Sequence, residues 1–145
     1  MNMSGVHLWL LMWKAGKSLE AHAFRSIEAL GMCPSDFAVL EALLHKGPLP
    51  VNTIGKKVLL TSGSMTAAID RLTSRGLVER RGDANDRRAR IVHLTNAGRK
   101  FIGKQFAEHE RDMERAVSGL TREEQASLMG LLRKLGQGAE ALLER

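Results

Sequence analysis

The chain has 145 residues, of which 43% are hydrophobic and 26% charged, and its formal net charge is +6 at pH 7. That length fits one domain, and the balance of apolar and charged residues excludes wholesale disorder. A single cysteine, Cys33, excludes an internal disulfide and suits a reducing cytoplasm, while the excess of positive charge suits a polyanionic partner, nucleic acid first and an anionic membrane surface second.

The run Leu8-Trp9-Leu10-Leu11-Met12-Trp13 is too short to cross a bilayer. It has no basic stretch before it and no small-residue cleavage site after it, so the expectation is a soluble, cytoplasmic protein with no membrane partner. Residues 6–30 read as a helix, because Trp9, Trp13, Ala23, Ile27 and Leu30 fall at helical spacings and Gly31 stops it. So many large apolar groups near one end of the chain need a cover. Pro34 opens a second helix, with Phe37, Val39, Leu40, Leu43 and Leu44 as its apolar positions and Gly47-Pro48 as its end.

A short third helix spans Val51 to Val58, and a fourth spans Ser62 to Ser74 and is capped by Gly76. The two form a helix-turn-helix candidate. Met65, Ile69 and Leu72 point inward, which leaves Ser62, Ser64, Ala67, Ala68, Arg71 and Arg75 outside. Leu77 to Arg81 and Ala89 to Leu94 are short strand candidates around the polar loop Gly82 to Arg88, and a helix-turn-helix followed by a hairpin is a winged helix. Thr95 caps a long fifth helix whose stripe is Ile102, Phe106, His109, Met113 and Val117. The last helix opens with Thr121-Arg122-Glu123-Glu124, a capping box, and carries Leu128, Leu131, Leu132, Leu135, Ala139 and Leu142 on its apolar face. These stripes exceed what one domain of this size needs, so a partner subunit is expected to cover them.

In this sequence Val51 to Lys100, VNTIGKKVLLTSGSMTAAIDRLTSRGLVERRGDANDRRARIVHLTNAGRK, resembles the MarR (multiple-antibiotic-resistance regulator) family. The matching pieces are Thr66 through Leu72 (TAAIDRL), Gly76-Leu77-Val78, Asp86-Arg87-Arg88-Ala89, and Leu94-Thr95 with Gly98. The helical flanks agree in number and length, so the likeness covers essentially the whole chain. It implies a mostly α, α+β winged-helix fold: a winged helix-turn-helix domain at 33–100, flanked by dimerisation helices at 1–32 and 101–145. It also implies a homodimeric transcription regulator, most often a repressor, that holds a palindromic operator in double-stranded DNA and answers to an unidentified small-molecule or oxidant effector.

The residue chemistry agrees with that implication. Guanidinium groups enter the narrow, electronegative minor groove well, and Arg87 and Arg88 at a hairpin tip offer that reach, with Arg90 at the start of the following strand. By analogy with the family's Asp-x-Arg pattern, Asp86 would hold an arginine in place. A basic loop can also be only a solvated turn, but its place after a helix-turn-helix favours DNA. In the fourth helix, Ser62, Ser64 and Thr66 can bond base edges or phosphates, and Ala67 can meet a thymine methyl. Arg71 either joins them or pairs with a neighbouring acid. Arg75 lies on the same outer side, and Lys56 suits a phosphate or is simply solvated.

No nucleophile and base fall together, so no enzyme is expected, and His7, His22, His45, His93 and His109 have no ligand spacing, so neither a metal nor a cofactor is expected. His109 reads as a buried interface histidine. Trp9, Met12 and Trp13 suit an effector pocket or dimer packing. Cys33 sits at the positive end of a helix dipole, which suits a redox thiol, or it is a small apolar plug between the first two helices. A rival reading is a winged-helix module for nonspecific nucleic-acid or protein contacts.

Overall fold

The computed structural model describes residues 4–58, 62–82, 85 and 90–144, with the side chains of 57, 58 and 62 also left aside. In chain order the elements are α1 (Gly5–Ala29), α2 (Pro34–Lys46), β1 (Leu49–Pro50), α3 (Val51–Val58), α4 (Ser62–Ser74), β2 (Val78–Gly82), β3 (Arg90–Leu94), α5 (Asn96–Ala116) and α6 (Arg122–Leu143). The mostly helical winged-helix class expected from the sequence is what the chain adopts.

Local signals set most of these boundaries. The Ser4 hydroxyl accepts the His7 N–H at 3.1 Å and opens α1. At its other end Gly31 takes φ +76°, and the Met32 N–H returns to the Ile27 carbonyl at 3.3 Å, which turns Met32 into the core. The same device ends α4: Gly76 has φ +73°, and the Leu77 N–H reaches the Leu72 carbonyl at 3.0 Å. Thr121 opens α6 with a complete capping box, its hydroxyl accepting the Glu124 N–H and the Glu124 carboxylate accepting the Thr121 N–H. The Thr121 backbone N–H, with lesser help from the Thr121 side chain, holds the Glu124 carboxyl below its ordinary pKa.

The antiparallel sheet runs β1-β3-β2. Val78 faces Leu94 and Gly82 faces Arg90 across the wing, while Leu49 faces Val92 on the other edge of β3. Strand β1 was not expected. It is two residues long and contains a proline, so it carries no alternation of its own and exists only because β3 lies beside it. Leu77 is a buried connector rather than the first strand residue.

One core serves the middle of the chain: Phe37, Val39, Leu40 and Leu43 from α2, Ile54 from α3, Met65, Ala68, Ile69 and Leu72 from α4, Val78 and Val92 from the wing, and Ile102 from α5. Ala68 is fully buried, contrary to its expected outward place. It lies three residues after Met65 on the same face, where only a small side chain lets α4 approach its neighbours closely. No described helix is long and apolar enough to cross a membrane.

Thr95 and Gly98 lock α5 to this core. The Thr95 hydroxyl donates to the Gly76 carbonyl at 2.7 Å and accepts the Gly98 N–H at 2.9 Å, and the Thr95 N–H donates to the Leu77 carbonyl at 3.1 Å. A Cβ on Gly98 would stand 1.9 Å from that same carbonyl oxygen, with backbone rather than a movable side chain in the way. Gly98→Ala should therefore cost about 1–3 kcal/mol of stability through overpacking. A urea unfolding curve would show this as a lowered midpoint; an unchanged midpoint would mean that α5 shifts freely.

Candidate nucleic-acid interface

The buried stripe of α4 leaves Gly63, Ser64, Thr66, Ala67 and Asp70 on its exposed side. Small side chains dominate the first two turns of that face, so the helix backbone can come close to a groove wall. Ser62 starts α4, but its side chain falls outside the described set. Lys56 is exposed on α3, the first helix of the helix-turn-helix.

The two arginines at the end of α4 are both engaged. The Arg71 guanidinium donates to the Asp36 carboxylate on α2, with Nη2 to Oδ1 at 2.7 Å and Nε to the two oxygens at 3.2 and 3.3 Å. Bonding to Asp36 and its charge raise the Arg71 pKa above the ordinary arginine range. The Arg75 guanidinium, just past the last turn, lies 5.1 Å from the centre of the Phe101 ring, a cation–π contact with α5. One residue before Arg71, Asp70 accepts Arg80 Nη2 from the wing at 2.5 Å.

In the wing, Arg81 pairs with Glu79, and exposed Arg90 stands across from Gly82. The expected tip residues Asp86, Arg87 and Arg88 lie outside the described residues. Cys33 is the N-cap of α2 and makes no capping bond through its side chain. It is exposed, which rules out the apolar plug, and its sulfur lies 3.5 Å from the Ser35 hydroxyl and 3.9 Å from Arg71 Nη2.

A second polar cluster joins α1 to α5. The Ser26 hydroxyl donates to Asp112 Oδ2 at 2.6 Å and lies 3.0 Å from His109 Nδ1. With its one hydrogen given to Asp112, Ser26 must accept from His109, so the proton sits on Nδ1. His109, half-buried, also meets the Phe37 ring edge-on with centroids 4.8 Å apart. Beside this cluster opens a cleft of about 280 Å³ lined by His22, Arg25, Ser26, Ala29, Asp112, Arg115 and Ala116. Arg115 pairs with Asp112, whereas Arg25 has no ion-pair partner among the described residues. Trp9, Met12 and Trp13 do not line this cleft; they stand exposed on the single chain.

Sequence reasoning gave Asp36, Ser26, Asp112 and Arg25 no role of this kind. The Asp36–Arg71 and Ser26–Asp112 bonds join residues 35 and 86 positions apart, so no local spacing signals them. Among the described residues, no group of three or more His, Cys, Asp or Glu side chains could hold a metal ion.

The comparisons with known proteins agree with this geometry. The MarR family model matches residues 30–89. The Bacillus subtilis HTH-type transcriptional regulator YkoM is 37% identical over 140 residues, covering 97% of this chain and 91% of its own. The chain belongs to the MarR family. It is a DNA-binding transcriptional regulator with the winged helix-turn-helix of that family. A mutant MarR from E. coli complexed with operator DNA superposes with a TM-score of 0.76 at 25% identity, over 90% of this chain and 94% of that one. BpsR of Bordetella bronchiseptica, whose DNA binding is regulated by 6-hydroxynicotinic acid, gives a TM-score of 0.77 at 25% identity, over 90% and 98% of the two chains.

The Ser26 hydroxyl, with lesser help from Arg115 and His109, holds the Asp112 carboxyl below its ordinary pKa. A depressed carboxyl pKa stabilises the fold above the unfolded value and loses that contribution as pH falls through the folded value. Ser26→Ala should therefore move the Asp112 titration upward toward the ordinary carboxylate range. Carboxyl-detected NMR would read the shift, and an unmoved titration would remove Ser26 as the principal cause.

Proposed function

We propose that the protein is a homodimeric repressor that binds a pseudo-palindromic operator and releases it when a small molecule or an oxidant binds or modifies the dimer. The observation that carries this reading is the pairing of a small-residue face on α4 with exposed apolar surface on the two helices at the ends of the chain. Trp9 and Trp13 are 64% and 54% exposed, and on α6 Leu128, Met129, Leu131, Leu132, Leu135 and Leu142 are all exposed. Apolar surface on that scale on the terminal helices calls for a second copy of the chain. In this reading residues 1–32 and 101–145 interlock the subunits, and 33–100 form the DNA-binding lobe.

On the operator, α4 enters the major groove with Ser62, Ser64, Thr66 and Ala67 toward base edges. Arg87, Arg88 and Arg90 of the wing reach the minor groove, with Asp86 steadying an arginine, and Lys56 and Arg75 lie toward phosphates. The effector is a small anion in the α1/α5 cleft, where Arg25, Arg115 and His22 would meet its charge. Regulation of BpsR by 6-hydroxynicotinic acid, in a structure of the same fold, supports an effector of that size. Soluble, cytoplasmic action follows from DNA as the partner.

The test is selection of bound duplexes from a random pool, followed by competition. Specific binding should survive random duplex by ~10³-fold or more, and the disappearance of that margin would favour a nonspecific module. The Arg87→Ala/Arg88→Ala double variant should bind the selected duplex more weakly by roughly 1–3 kcal/mol for each arginine that enters the groove, with a salt slope lower by about one unit for each phosphate no longer neutralised. Equal affinity would refute the wing assignment. Light scattering at micromolar concentration should give the dimer mass, and deletion of residues 121–145 should yield aggregates or an unfolded chain. A folded monomer from that deletion would count against interlocked termini.

A further inference from the structure

Asp36 and Ser26 are the buried polar residues among those described, and Asp36 is 6% exposed in the first turn of α2. A buried carboxylate is tolerated only with a partner of good geometry. Its partner is Arg71, held by three N–H···O contacts at 2.7, 3.2 and 3.3 Å. The same Nη2 also lies 3.3 Å from the Ser35 hydroxyl. So one arginine of the recognition helix grips two consecutive side chains at the start of α2, a helix anchored in the core by Phe37, Leu40 and Leu43.

Asp70, the preceding residue, is tied to Arg80 of β2 at 2.5 Å. Successive residues on a helix diverge by about 100°, so these two ion pairs brace α4 from two flanks, one against α2 and one against the wing. The Asp70–Arg80 pair is largely exposed and adds little to stability. Placed on two flanks, both pairs oppose rotation of α4 about its own axis. If Arg71 swung out to DNA, Asp36 would be left as a buried, unpaired charge.

We infer that Arg71 is a positioning residue for operator recognition: locked to Asp36, it sets the angle at which Ser64, Thr66 and Ala67 are presented, and it does not itself touch DNA. This rests on α4 being the recognition helix. Of the two roles the sequence left open for Arg71, contact with DNA or pairing with a neighbouring acid, it takes the second.

The experiment is a double-mutant cycle on the full-length protein with Asp36→Asn, Arg71→Gln and the pair combined. The probe is a duplex selected from a random pool by the native protein, with a scrambled duplex as control. Each single variant should lose roughly 3- to 30-fold in affinity for the selected duplex. The combined variant should lose no more than either single one, because the two residues act as one unit. Binding to the scrambled duplex, and the salt slope, should stay as in the native protein. An arginine touching phosphate would instead lower the salt slope by about one unit in Arg71→Gln and leave Asp36→Asn unaffected or tighter; either result overturns the inference. Should a single neutral variant not fold, Arg71→Lys and Asp36→Glu keep the charges while breaking the two-nitrogen geometry. Weaker selected binding at an unchanged salt slope is expected of them, and full native affinity would again overturn it. Amide hydrogen exchange without DNA gives an independent readout: residues 64–74 should exchange faster in the variants while α5 stays protected. If selection enriches no duplex at all, the functional reading fails while the exchange comparison still decides whether the pair holds α4; unchanged exchange there would sink the positioning role.

Discussion

Leu77 is where α4, the sheet and the long helix α5 are joined. Its N–H closes the end of α4 on the Leu72 carbonyl, its side chain is buried, and its own carbonyl receives the Thr95 N–H. Gly98 lies so close to that carbonyl that no other residue type fits without movement. Because backbone meets backbone here, the direction of α5 relative to α4 and the wing is fixed by hard contact rather than by adaptable side chains.

The basic residues divide by what they touch. Arg71 and Arg80 are engaged by the carboxylates of Asp36 and Asp70, and Arg75 lies over the Phe101 ring. Net charge of +6 is a statement about the whole chain, and it attracts a polyanion from a distance. It does not say which arginines are at liberty to meet one. On α4 the exposed residues of the middle turns are the small Ser64, Thr66 and Ala67, with the charged Asp70 and Arg71 beside them.

On the other side of the core, α1 and α5 share the Ser26–His109–Asp112 cluster. It stands between the α1/α5 cleft and Phe37, whose neighbour in the chain is Asp36. Side chains that meet the cleft are thus connected through His109 and Phe37 to the start of α2, where Asp36 holds Arg71. Contiguity of this kind is adjacency only, and coupling itself is a matter of energies.

Much of the fold was legible in the sequence because its signals are local. Helical spacing, Gly31, Gly47 and Gly76 at positive φ, the Thr121–Glu124 box, and Thr95 before α5 each act within a few residues, and the helix limits of α3 and α4 fell where these signals placed them. Pairings between distant residues were not legible. Strand β1 has no pattern without β3, Ala68 shows its burial only once neighbouring helices close over it, and Cys33 is exposed although cysteine is so often buried. The sequence alone determined a winged helix with basic residues and apolar terminal helices, since periodicity and capping are written residue by residue. Tertiary structure alone decided that Arg71 meets Asp36, that Arg75 covers Phe101 and that Ser26 joins His109 to Asp112, because an ion pair or a hydrogen bond depends on distance in space and not on separation along the chain.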